Sequence, residues 1–156
     1  MAARDSFTID GIVTTVTEKD TAFGTEQKIR KVPFTYTPAS TIVDTVYHDY
    51  ITQNTSAVDY DLVGSLVDPF NGVTKTFQSV AFIFTKKVSG TGDIKVGGDA
   101  ASIPLFGAVN DILISDDMLA LLNLSGWTVT ATSADILQIE TTGNIVFELI
   151  VAGLAP

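Results

Sequence analysis

Alternation of apolar with polar residues, interrupted about every eight to twelve positions by turn-forming clusters, restricts this 156-residue chain more than any other feature. Val32, Phe34 and Tyr36 alternate with Thr35 and Thr37, and Val58, Tyr60 and Leu62 with Asp59 and Asp61. Ile94 and Val96 alternate with Asp93 and Lys95, and Trp127, Val129 and Ala131 with Thr128, Thr130 and Thr132. The 21 threonines, with many Val, Ile and Phe, suit a pleated, half-buried surface and disfavour helix interiors. Two runs, 80–84 and 145–151, are apolar on both faces and read as central or interface strands.

Turns punctuate these runs. In Asp68-Pro69-Phe70-Asn71-Gly72 the proline presets φ and Asn-Gly favours a tight reversal. Further turns are expected at 89–92, at Gly97-Gly98 and at 142–144. Short strands at this spacing predict an all-β protein: a β-sandwich of jelly-roll type with at least eight strands and at most one or two short helical turns. The segment 116–124 reads two ways, as a short helix opened by an Asp cap or as a strand. At 16.6 kDa the chain has room for one domain, 1–156. Within it residues 1–37, with few core signals before Val32, contain an expected arm or edge strand.

Charge narrows the partners. Eighteen acidic residues against nine basic ones give a net charge of −9, which disfavours nucleic acid and anionic membrane. The absence of cysteine excludes disulfides, thiol catalysis and Cys-based zinc sites. No signal-peptide pattern opens the chain, so synthesis in a cytoplasm is expected, and Asn54-Thr55-Ser56 and Asn123-Leu124-Ser125 are discounted as glycan acceptors.

Little in the sequence points to catalysis. His48 is the only histidine and is expected on the polar side of a strand beside Asp49. No nucleophile elbow, P-loop or zinc-binding helix motif occurs. Asp59 and Asp61 share a strand face and offer a Ca²⁺ site or an acid–base pair, but a solvated face is the simpler expectation. Asp116-Asp117 offers either a Ca²⁺ ligand pair or a helix cap, and the cap is preferred. The glycines at 90, 92, 97 and 98 precede no helix that would complete a phosphate loop, so they are assigned to hairpins. Trp127 is expected as a core or interface anchor in preference to a sugar-stacking platform. No enzyme activity, cofactor or metal is expected.

From about residue 73 to 153 the order of segments is FQSVAFIFTKK, DIKVGGDAASIPLF, DILISDD, LSGWTVTATSADILQIETT and FELIVAGL, preceded by Tyr60-Asp61-Leu62-Val63-Gly64. This order resembles small virion structural proteins of tailed bacteriophages. There a strand leads into a V-x-G-G hairpin, a threonine-rich strand, a D-x-L-x-I strand and a last strand ending in A-G or I-G. Residues 1–56 carry none of the resemblance. It implies a decoration (cement) protein that binds the outer surface of the major capsid protein lattice and stabilises it, and that associates with itself, as a trimer by preference. Made in the host bacterial cytoplasm, such a protein would reside on the outer capsid surface. The alternatives are a tail, baseplate or fibre-associated virion module, or a carbohydrate-binding β-sandwich using Trp127 and the tyrosines. For the interface, Lys28, Arg30 and Lys31 form the densest basic cluster, with Phe7, Ile9 and Phe34 as apolar anchors and Trp127 as a further contact.

Overall fold

The computed structural model describes residues 7–21, 24–64, 66–105 and 112–156, and every regular element in them is a β-strand. The chain divides into two units, 7–38 and a body beginning at Ala39.

The smaller unit is a two-stranded ribbon. Strands β1 (Ile9–Thr21) and β2 (Gly24–Tyr36) are thirteen residues each and pair antiparallel from Ile9↔Tyr36 to Thr21↔Gly24 without a register shift. At the usual rise per residue the ribbon is about 40 Å long. Pro33 lies in β2 opposite Ile12. Both strands of a ribbon are edges, and an edge is where a strand accommodates a missing N–H.

Among the described residues ten strands build the body: β3 (Thr45–Gln53), β4 (Ser56–Asp61), β5 (Leu66–Val67), β6 (Thr74–Lys75), β7 (Ser79–Gly90), β8 (Ile94–Gly97), β9 (Ile112–Ser115), β10 (Met118–Thr128), β11 (Ile136–Thr141) and β12 (Ile145–Leu154). They form antiparallel sheets in the orders β10-β7-β12-β3 and β4-β11-β8-β9, with β5 and β6 as a separate small hairpin. Side chains of both four-stranded sheets meet in one core. From the first come Tyr47, Val80, Ile83, Ile145, Phe147, Leu149 and Val151; Ile94, Val96, Leu137 and Ile139 come from the second. The fold is an all-β sandwich of packed antiparallel sheets, and the strand orders do not by themselves make it a jelly roll.

The two runs that are apolar on both faces became β7 and β12, the two inner strands of their sheet. An inner strand is covered by neighbours along both edges, so continuous apolar character costs it little exposure. Along β12 the residues Ile145, Phe147, Leu149 and Val151 are buried in the core while Val146, Glu148 and Ile150 alternate with them at intermediate exposure.

Segment 116–124 is strand and not helix from Met118 onward, because its residues pair with β7: Leu119 with Thr85 and Leu121 with Ile83. Those two leucines pack on the core, whereas Met118 and Leu122 are exposed. Consequently Asp116-Asp117 lies in the short connection from β9 to β10, which belong to different sheets, and caps no helix. The expected strand 127–131 also stops early. β10 ends at Thr128, Thr130 bridges to Ala134, and Thr132 takes a φ of 69° in the intervening turn. Between Leu122 and Trp127 the β10–β7 register breaks, and Gly126 supplies the positive φ of 74° within that irregular stretch.

Two buried hydroxyls, those of Thr85 and Thr141, have no hydrogen-bond partner among the described residues. Thr85 is fully buried between Leu119 and Leu149. A buried unpaired hydroxyl is destabilising. Thr85→Val is therefore expected to stabilise the body by about 1 kcal/mol, read as a rise in Tm of roughly 2–4 °C.

Candidate binding surfaces

The residues expected at an interface fall on two units. Phe7, Ile9, Lys28, Arg30, Lys31 and Phe34 all belong to the ribbon unit. Pairing sets Phe34 opposite Gly11, Lys31 opposite Thr14, Arg30 opposite Thr15 and Lys28 opposite Thr17. Positions 28 and 30 fall on one side of β2 and position 31 on the other, so the basic cluster is divided between two faces. The side chains of Lys28, Arg30 and Phe34 lie outside the described set. On the other face Ile29, Lys31, Pro33 and Thr35 are all exposed, Ile29 at 58%. Phe7 and Ile9 are half-buried.

Trp127 belongs to the body. Its ring packs against the core, and its indole N–H donates to the Leu105 carbonyl at 3.1 Å. Its polar group is thus paired and its ring is partly buried against the core.

The aspartates singled out by spacing have separate local tasks. Asp59 accepts a hydrogen bond from Gln138 Nε2 at 2.8 Å, and Asp61 accepts the Val63 N–H at 2.7 Å in the turn after β4. Asp116 accepts from Lys87 Nζ at 2.9 Å, and this lysine beside it holds its carboxyl below the ordinary range. Gly90, with a φ of 98°, brings the β7–β8 turn against the one at 142–144, where a Cβ would overlap the Asn144 carbonyl oxygen.

A site that spacing did not single out lies along β3, the edge strand of its sheet. His48, Asp49, Tyr50, Pro69 and Phe70 line an open cleft of about 370 Å³. Tyr50 is 61% exposed and Phe70 96%. Phe70 is held at the tip of a well-bonded turn: Asp68 Oδ1 accepts the Phe70 N–H at 2.8 Å, Asp68 O accepts the Gly72 N–H at 2.8 Å, and Asn71 Oδ1 accepts the Val73 N–H at 2.9 Å. The turn motif was legible in sequence, but the pairing of its tip with β3 is a long-range contact.

Behind the cleft, Glu148 on β12 stands opposite Tyr50 on β3. Its Oε1 is 2.9 Å from His48 Nε2 and accepts a long hydrogen bond from the Tyr50 hydroxyl at 3.5 Å. The His48 and Tyr50 rings are 5.5 Å apart. Asp49 Oδ1 accepts the Tyr50 N–H at 2.7 Å, and Oδ2 accepts the Tyr47 hydroxyl at 3.1 Å. A carboxylate on an edge-strand N–H discourages unplanned strand pairing. Burial raises the Tyr47 pKa, and the charges of Asp49 and Asp68 raise it further. Burial, with a contribution from Asp49, likewise pushes Tyr60 up to about 12. The field around this end of β3 is negative.

Among the described residues, no group of three or more His, Cys, Asp or Glu is arranged to hold a metal ion. Comparison of the chain with family models, curated proteins and solved structures finds no match.

Proposed function

We propose that this protein is a non-enzymatic structural subunit of a phage virion, binding the outer surface of the major capsid protein lattice and stabilising it as a decoration protein. The observation that carries the reading is the ribbon. Two thirteen-residue strands pair along their whole length as a unit of their own. An isolated two-stranded hairpin is marginal in water, so a ribbon of this length gains most by lying against a partner. Its edges are suited to strand addition on a neighbouring subunit. Its exposed Ile29 and Lys31 combine an apolar contact with a positive charge suited to carboxylates. The net charge of −9 favours the outside of a capsid over a place against packaged DNA.

Self-association fits the same reading. β10 is an edge strand on which Met118, Leu122 and Leu124 are each more than half exposed. Such an edge is a ready template for a second copy. A trimer near three times 16.6 kDa is expected in light scattering at tens of micromolar, or on the capsid if assembly requires it. Several contacts made at once would turn individually weak docking into durable attachment.

Two measurements test the assignment. Quantitative mass spectrometry of purified particles should find hundreds of copies, whereas a handful would move the protein to the tail and none would remove it from the virion. On undecorated capsids, changing Lys28, Arg30 and Lys31 to Ser should slow association at low salt more than at high salt. Deleting residues 1–10, which removes Phe7 and Ile9, should speed release. If both variants fold and bind with unchanged affinity at both salt concentrations, the docking surface is not the ribbon.

A further inference from the structure

The cleft beside β3 plays no part in the ribbon reading. Its two exposed rings, Tyr50 and Phe70, flank a space of about 370 Å³. The Tyr50 backbone N–H is bonded to Asp49 and its hydroxyl is 3.5 Å from Glu148, and the bonds of its turn fix the backbone that carries Phe70. A phenyl ring 96% exposed on a hydrogen-bonded turn contributes nothing to the core that supports it. Exposed aromatic side chains presented in this way suit anchoring of a partner.

Charge decides what kind of partner. Asp49 lines the cleft, Glu148 stands directly behind His48 and Tyr50, and Asp68 lies at the base of the turn that carries Phe70. Lys75 Nζ is 3.4 Å from Asp68 Oδ2. Each carboxylate oxygen has two lone pairs, and each oxygen of Asp49 accepts one hydrogen bond among the described residues, so capacity remains for another. Negative carboxylates beside open aromatic faces complement a flat cation. A guanidinium stacks on a ring with its face and donates to carboxylates with its edge, which an ammonium does not do equally well.

We propose that the cleft lined by His48, Asp49, Tyr50, Pro69 and Phe70 binds an arginine side chain of a partner protein, its guanidinium against the Tyr50 and Phe70 rings and its N–H groups toward Asp49. The site lies wholly within the body. Its failure would leave the ribbon reading intact, and the reverse also holds.

The test is a titration of the full chain, followed by backbone and side-chain NMR, with the blocked tripeptide Gly-Arg-Gly and with its citrulline counterpart, which keeps the shape and loses the charge. The arginine peptide should shift the signals of His48, Tyr50 and Phe70 saturably, with a Kd on the order of millimolar for so small a probe. The citrulline peptide should bind at least tenfold more weakly, and 0.5 M salt should weaken the arginine peptide severalfold. Phe70→Ala and Tyr50→Ala should each weaken binding while leaving the circular dichroism spectrum unchanged, because both rings are largely exposed. Equal binding of the two peptides, shifts confined to other residues, or an unaffected Phe70→Ala variant would overturn the proposal. So would saturable binding of a neutral oligosaccharide such as maltohexaose at these residues without competition from the arginine peptide.

Discussion

Phe147→Ala is expected to remove about 3–5 kcal/mol of stability, the largest effect of any single truncation considered. The ring is fully buried on β12, in register with Ile51 of β3 on one side and Lys87 of β7 on the other. β12 is an inner strand bonded along both edges, so the backbone around the lost ring has little freedom to close the cavity. In urea the midpoint should fall with an unchanged m-value, the signature of lost stability in an intact fold. Phe70→Ala is the matched control. It removes the same atoms from a site 96% exposed, and stability should change by less than about 0.5 kcal/mol. A cost above 1 kcal/mol at Phe70, or below 1 kcal/mol at Phe147, would contradict the placement of these rings.

Gln53→Leu is expected to cost about 2–4 kcal/mol through hydrogen bonding and not through volume. Gln53 ends β3, is buried, and joins the two sheets of the sandwich. Its Nε2 donates to Ser56 O at 2.7 Å and to Ile139 O of β11 at 2.8 Å, while Oε1 accepts the Tyr60 hydroxyl at 3.4 Å. Leucine fills similar space but leaves two carbonyls without this donor, and an unsatisfied buried group costs about 1–3 kcal/mol. Adding Tyr60→Phe should be less than additive, since the hydroxyl has already lost its acceptor. Tyr60 also supplies a pH test. Its pKa rises on folding to about 12, so its contribution to stability is complete below the ordinary tyrosine value of 10.0 and is lost as pH rises toward 12. Gln53→Leu should leave that direction unchanged, because burial is the main cause of the shift.

Strand identity was readable where a side-chain pattern states its own environment. Val58, Tyr60 and Leu62 alternate with aspartates, and the segment became β4 and its following turn. The runs 80–84 and 145–151 announced inner strands by lacking a polar face, and they form the middle of their sheet. Segment 116–124 was ambiguous for a physical reason. Met and Leu have good helix propensity, and a short apolar run fits either period. Pairing with β7 resolved it. β1 falls within the arm or edge strand expected in residues 1–37, but its mixture of threonines and charges carries no alternation that would have set its bounds.

The candidate cleft was not readable at all. Tyr50, Phe70 and Glu148 are far apart in the chain, and none belongs to a motif that predicts the others. His48 signalled only a polar strand face, and Trp127, the conspicuous aromatic, is tied to Leu105 at the rim of the core. By itself the sequence determined the class of fold, the inner strands, the turns and the sign of the charge, because these follow from local periodicity, backbone preference and composition. Tertiary structure decided which aromatic ring stays uncovered and which carboxylates stand beside it. That choice depends on strand order and register, which bring His48 and Glu148 to within 2.9 Å across a separation of 100 residues.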